Sequence, residues 1–170
     1  MIMWRGPKLL LIGYPILAAL LLAAAEPPEL PAGAIDSPGP RVLEKQTRAS
    51  VTRDYLQAWQ SLGRAFSENQ PDVLSDYFVG VARDKLADTV HQQQNLGIQT
   101  VYGEPTHDFE IAFYSPDGLS VQLVDKVAYR LDILDHGRVV GSRQVHARYV
   151  AVMTPAENKW KVRVFQAEPQ

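Results

Sequence analysis

The chain contains no cysteine. This absence excludes disulfide bonds, thiolate metal sites and an anchor built on a lipid-modified cysteine. The 11 glycines are dispersed, and none forms the G-x-G-x-x-G pattern that cradles phosphate. The G-x-S-x-G pattern of a serine nucleophile is also missing. We therefore expect no cofactor, and no serine motif supports nucleophilic catalysis.

The four histidines form no metal-binding pattern. His107 and Asp108 are neighbours, but adjacent residues of a strand point to opposite faces, so the pair cannot easily hold one metal ion. His91, His136 and His146 are scattered along the chain. The sequence therefore predicts no metal site.

The N-terminus carries a long uncharged segment. Arg5 and Lys8 precede residues 9–25, a run of 17 residues without a charge. This length lies between a signal peptide core of about 7 to 15 residues and a membrane span of about 20. We interpret residues 1–25 as a signal peptide or a membrane anchor. In both cases the positive residues stay in the cytoplasm, and the rest of the chain is extracytoplasmic.

The exported part is mildly acidic and begins with a linker. Removing Arg5 and Lys8 from the 17 basic residues leaves 15, against 19 acidic residues. This balance gives no electrostatic reason to expect nucleic acid or anionic lipid as a partner. Residues 26–42 contain five prolines and almost nothing that could enter a core, so they predict a stiff linker.

Residues 43–170 form the predicted folded domain, which begins with helices. An apolar stripe at spacings of three and four predicts a helix over residues 44–67, and its members are Val51, Tyr55, Trp59, Leu62 and Phe66. Pro71 suits the first turn of a second helix, over residues 71–80, and a third helix is predicted over residues 81–97.

After Gly97 the apolar period becomes two, which predicts strands at residues 108–115, 119–134, 139–153 and 160–167. Short turns join them, so the sheet is an antiparallel meander. The predicted fold class is therefore α+β, with three N-terminal helices packed on a curved, cone-shaped meander sheet.

One carboxylate interrupts the apolar face of the second predicted strand. The odd positions from Leu119 to Ile133 are apolar except for Asp125. A three-residue hairpin loop at residues 135–137 would place Asp125 opposite Ala147, in a row that continues to Gln166. A two-residue loop would instead place Asp125 against Arg148. A bulge near residues 124–126, or a simple salt bridge, would remove Asp125 from any pocket.

An inward Asp125 needs a hydrogen bond or water, because an ionised carboxylate without partners is costly in an apolar interior. We therefore predict a pocket lined by five residues: Trp59, Asp125, Tyr129, Tyr149 and Gln166. If the protein is an enzyme, Asp125 is its general base, and Gln166, Tyr129 and Tyr149 are the nearest hydrogen-bond donors.

The order of elements resembles a known superfamily. A long aromatic helix, the segment NQPDVLSDYF, a third helix and a meander ending in NKWKVRVFQA resemble the nuclear transport factor 2-like superfamily. That superfamily includes SnoaL-like polyketide cyclases and ketosteroid isomerase, and the likeness covers residues 43–167. With its N-terminal segment, the chain looks like the Mce-associated membrane proteins. The run QQQNLGIQTVYGE looks like the C-terminal domain of chloroplast division proteins.

These resemblances imply an exported, membrane-tethered module that binds or assembles without catalysis, with a protein or a small apolar ligand as its partner. The alternative is an isomerase, dehydratase or cyclase that uses Asp125. Five cations are predicted to lie among valines on the outward sheet face, which is either solvated or a homodimer interface: Lys126, Arg130, Arg148, Lys161 and Arg163.

Overall fold

The structure, a computed structural model, describes residues 41–168. The predicted signal peptide or anchor at residues 1–25 lies outside the described residues, as does nearly all of the predicted linker at residues 26–42. Within the described part, no helix combines the length and apolar composition that crossing a membrane requires.

The described chain runs from helices to strands. Its helical elements are α1 (Lys45–Glu68), a 3₁₀ helix (Pro71–Asp76) and α2 (Gly80–Asn95). Its strands are β1 (Ile98–Tyr114), β2 (Val121–Asp135), β3 (Arg138–Ala156) and β4 (Lys159–Ala167). The strands form one antiparallel sheet in the order β1-β2-β3-β4. The predicted α+β meander is confirmed.

The apolar stripe of α1 is buried along its whole length, as its spacing predicted. The second predicted helix is wrong in type, because only Pro71–Asp76 is helical and its geometry is 3₁₀. The residues that follow the 3₁₀ helix instead form backbone hydrogen bonds with β4. Val79 N–H donates to the Val162 carbonyl at 2.9 Å, and Val162 N–H donates to the Tyr77 carbonyl at 2.8 Å. This pairing covers part of the free edge of β4.

The first strand is longer than predicted. Alternation predicted a start at Asp108, whereas β1 begins at Ile98. The pairing with β2 shifts between Gly103 and Thr106, where Glu104 has a positive φ of 52°. This irregularity interrupts the two-residue apolar period, so the N-terminal half of the strand could not be predicted from alternation.

The predicted β2–β3 register is wrong by two residues. The loop contains only His136 and Gly137, with φ values of 48° and 74°, which matches a type I′ turn. A further shift between Ile133 and Leu134 then sets Asp125 opposite Tyr149 instead of Ala147. Because a shift of two residues preserves the side-chain face, the predicted apolar face of β2 is nevertheless correct.

The β3–β4 register also differs from the prediction. A shift between Val152 and Met153 pairs Met153 with Val162 instead of Trp160. Gln166 consequently pairs with Val150, and its side chain is exposed. The predicted row of Asp125, Ala147 and Gln166 is therefore wrong.

Buried polar side chains join the helices to each other and to the sheet. Asp54 is 2% exposed, and its carboxylate accepts the backbone N–H of Trp160 at 2.8 Å. Gln93 of α2 donates to the Phe66 carbonyl of α1 at 2.6 Å. Asn69, in the left-handed conformation that ends α1, donates to the Ile98 carbonyl at 3.0 Å. Each of these buried groups is satisfied, which fixes how the elements pack.

Aromatic rings fill the space between α1 and the sheet. The Trp59 ring lies 5.3 Å from the Tyr149 ring, 6.1 Å from Tyr129 and 5.4 Å from Phe165, measured between centroids. Burial raises the pKa of the phenols of Tyr55, Tyr102 and Tyr149 well above their ordinary value of 10.0. These three side chains are therefore neutral hydrogen-bonding groups inside the fold.

The raised phenol pKa values predict loss of stability in alkali. Below pH 10.0 the three phenols are protonated in both the folded and the unfolded chain, and the native state keeps its full stability. Above that pH the unfolded chain releases protons that the folded chain retains, so the free energy of unfolding falls. We expect the ultraviolet absorbance of these phenolates to rise together with the loss of circular dichroism.

Tyr102→Phe is the matched control for this measurement. It removes one buried hydroxyl, keeps the ring and should make the loss of stability with pH less steep. Ionisation of all tyrosines in a chain that is still folded would contradict the burial of these phenols.

Candidate functional site

Asp125 points into the fold and is fully buried, with 0% of its surface exposed. One carboxylate oxygen, Oδ2, accepts the Tyr55 hydroxyl at 2.9 Å and lies 2.8 Å from His107 Nδ1. The other oxygen, Oδ1, has no hydrogen-bond partner among the described residues. The pairing of β2 with both neighbours is regular around Asp125, so the outward bulge is wrong. The carboxylate joins α1, β1 and β2.

His107 is the partner that the sequence analysis missed. On β1, His107 pairs with Val127 of β2. This pair lies two residues along each strand from the pair of Phe109 and Asp125, so His107 points to the same inward face. Its inward direction continues the alternation of Phe109 and Ile111 by one more step. The signal is present in the sequence, but a strand that starts at Asp108 excludes His107 from this alternation.

The contact with Asp125 determines what the imidazole of His107 can do. In a neutral imidazole whose Nδ1–H donates to the carboxylate, Nε2 carries the free lone pair. The His107 side chain is 10% exposed and borders a cavity, whereas Asp125 borders none of the described cavities. The buried carboxylate therefore acts on a ligand only through the imidazole.

Tyr55 completes this buried cluster. Burial raises the pKa of its phenol, and the neighbouring Asp125 carboxylate raises it further. Tyr55 is thus a neutral donor to Asp125. In the sequence it is simply one member of the apolar stripe of α1, and nothing in the stripe indicates a polar role.

A cavity of about 440 Å³ opens between α1 and β1, and we call it the side pocket. Its walls are mainly aromatic and aliphatic, with His107 among them. The residues that line it are Leu56, Trp59, Gln60, Gly63, Arg64, Tyr102, Pro105 and His107. Pro105 belongs to the irregular part of β1, next to the positive φ of Glu104. Such local distortion of a strand is common at binding sites.

The five predicted pocket residues do not line one common pocket in the structure. Trp59 lines the side pocket, and its indole Nε1 is buried without a hydrogen-bond partner among the described residues. Tyr129 and Tyr149 lie behind Trp59, and their hydroxyl oxygens are 3.3 Å apart. Asp125 is sealed inside, and Gln166 is exposed and away from it.

The opposite face of the sheet carries a row of charged side chains. Asp108 pairs with Lys126, which pairs with Arg148, and Arg148 forms an ion pair with Glu168. These residues border a groove of about 560 Å³, whose lining also includes the inward-facing His107 and Val127. Lys161 instead donates to the Ser75 carbonyl at 2.8 Å, so this cation is bound to the 3₁₀ helix. Homodimerisation through this face stays a prediction.

No family model matches the chain, and no curated protein matches it. Solved structures do match. The intermembrane space region of chloroplast protein ARC6 has a TM-score of 0.59 and 12% identity over 76% of this chain and 100% of that one. A candidate scytalone dehydratase from Novosphingobium aromaticivorans has a TM-score of 0.52 and 13% identity over 74% of this chain and 89% of that one.

At such low identities the likeness concerns the fold, and structures with this fold include an enzyme candidate as well as a region of a chloroplast protein. The chain has the nuclear transport factor 2-like, SnoaL-like cone fold that its sequence predicted.

Proposed function

We propose that this protein is a binding module that holds a small, largely apolar ligand in the side pocket and works without catalysis. The observation that carries the proposal is the pocket itself. Its volume of about 440 Å³ lies within the usual range for small-molecule sites, roughly 300 to 1,000 Å³. Trp59, Tyr102, Leu56 and Pro105 give it apolar walls, and burial of a ligand against them supplies the driving force.

Two features favour binding over catalysis. The carboxylate of Asp125 is enclosed and cannot touch a ligand. The polar groups of the wall are the side chains of His107, Gln60 and Arg64 and the hydroxyl of Tyr102, whereas an enzyme needs donors placed around the atom where charge develops.

A substitution at Gly63 tests the pocket without removing any existing contact. Gly63 lies in α1, and a Cβ added there meets nothing within 4 Å. We expect Gly63→Leu to fill the pocket and weaken binding of β-tetralone, a neutral two-ring ketone, at least tenfold. The same change should stabilise α1 by roughly 0.5 to 1 kcal/mol, because glycine is a poor helix residue. Calorimetric titration and thermal melting measure the two effects.

Gly63→Ala is the matched control, since it brings nearly the same gain in helix stability with only one methyl group in the pocket. It should bind the ketone almost as well as the original chain. Equal affinity of the Gly63→Leu chain, or no binding by the original chain, would contradict the proposal.

The second candidate function is a small-molecule enzyme of the isomerase, dehydratase or cyclase type. The contact between His107 and Asp125 favours it, because a carboxylate that holds Nδ1 of an imidazole directs Nε2 as a general base. Tyr55 supports the carboxylate from the other side. The sequence predicts Asp125 as the general base, whereas the contact with Asp125 supports His107 in proton transfer and Asp125 in positioning the imidazole.

Deuterium exchange of bound β-tetralone in heavy water separates the two functions. A general base would take a proton from the carbon next to the carbonyl, the C–H electron pair would form an enolate, and the imidazole would return a deuteron. For a binding module we expect the ketone to exchange no faster with the protein than in buffer. A faster exchange that His107→Gln abolishes and the control His91→Gln keeps would establish the enzyme.

The location of the module is a separate part of the proposal. Arg5 and Lys8, followed by the uncharged residues 9–25, support export and a tether in the cytoplasmic membrane. The proline-rich residues 26–42 then hold the domain away from the membrane surface.

Cell fractionation tests this location. We expect the full chain in the membrane fraction and its folded domain to be sensitive to protease added outside the cytoplasmic membrane. A chain shortened by the length of residues 1–25 would mean that the segment is cleaved as a signal peptide. Recovery of the intact chain in the cytosol would contradict export.

A further inference from the structure

The charges around the side pocket indicate what kind of ligand it accepts. Among the residues that line it, Arg64 is the only one whose side chain is permanently charged. The residue lies one position after Gly63 on α1, and its side chain is 55% exposed. The cation therefore stands at the rim, while Trp59 and Tyr102 form the apolar interior.

The partner that Arg64 has in the structure is a weak one. Its Nη2 atom is 4.0 Å from Oδ2 of Asp76, whose side chain is 62% exposed. An exposed ion pair at this distance contributes little to stability. Arg64 also borders a smaller groove of about 220 Å³, which is lined in part by Asp76. The guanidinium can therefore leave Asp76 for a ligand at small cost.

Arg64 suits a carboxylate by its chemistry. A guanidinium offers donors in a planar fork that matches the two oxygens of a carboxylate. No acidic side chain lines the side pocket, so nothing in its wall would repel such a group. The rings of Trp59 and Tyr102 contact each other edge to face, with centroids 6.5 Å apart, and a ligand ring packed against this pair would leave its substituent near the rim.

We infer that the side pocket binds ring-sized carboxylates, with the ring against Trp59 and Tyr102 and the carboxylate on Arg64. This inference rests on the proposed binding function and adds the chemical class of the ligand. Asp76 is then the internal competitor for Arg64, and its removal should strengthen binding.

A matched pair of probes tests the inference on the full chain. α-Naphthoate and α-naphthamide share the same rings and differ in charge, and calorimetric titration gives the affinity of each. We expect the original chain to bind the carboxylate about five- to tenfold more tightly than the amide, as a half-exposed charge pair allows. The preference should shrink as salt is added.

Substitutions then assign the preference to a residue. Arg64→Gln should abolish the preference because the carboxylate loses its partner, whereas Arg64→Lys should keep part of it. Asp76→Asn should raise the affinity for the carboxylate alone. Arg83, which is exposed on α2 and paired with Asp84, provides the control, and Arg83→Gln should change neither affinity.

The outcomes distinguish a failure of the carboxylate inference from a failure of the proposed binding function. Equal binding of both probes, independent of residue 64, would overturn the carboxylate inference and leave the apolar pocket standing. A preference that His107→Gln abolishes and Arg64→Gln keeps would overturn the role of Arg64. If neither probe binds, the proposed binding function fails and the inference fails with it.

Discussion

The interior of this fold depends on how the carboxylate of Asp125 is held. A buried carboxylate without partners costs several kcal/mol, of the order that would offset much of the stability of a small domain. Here the Tyr55 hydroxyl and the His107 imidazole meet one oxygen at 2.9 and 2.8 Å. Tyr55 belongs to α1, His107 to β1 and Asp125 to β2, so the contacts that give Oδ2 its partners also fix the position of the helix on the sheet.

This arrangement creates three distinct environments. The Asp125 cluster is sealed in the core, the side pocket opens between α1 and β1, and the charged row lies on the opposite sheet face. His107 connects all three, since it touches Asp125 and lines both the side pocket and the groove beside the charged row. The enclosed carboxylate of Asp125 therefore reaches these cavities only through the imidazole of His107.

The fold by itself does not distinguish a binding module from a small-molecule enzyme. The matching structures include an ARC6 region and a candidate dehydratase, and the same cone architecture accommodates both. Function is determined by the residues placed on the architecture. In the functions proposed for this chain, those residues are the apolar walls around Trp59, the cation of Arg64 and the imidazole of His107.

The sequence by itself determined the order of helices and strands, the buried stripe of α1 and the inward face of β2. These properties repeat along the chain with periods of 3.6 and 2, so they can be read from residue spacing. It also marked Asp125 as anomalous, because one carboxylate broke a regular apolar series. It did not predict the 3₁₀ geometry after Pro71, where backbone pairing with Val162 overrides a local helical pattern.

Only the tertiary structure decided which residues meet. The shifts at Gly103, Ile133 and Val152 change strand pairing without leaving a trace in the apolar period, so the predicted neighbours of Asp125 were wrong. Tyr55, His107 and Asp125 are separated by many residues in the chain, and their contact depends on how α1 lies across β1 and β2. Spacing encodes the direction of each side chain, whereas register and packing, which are long-range, decide its partner.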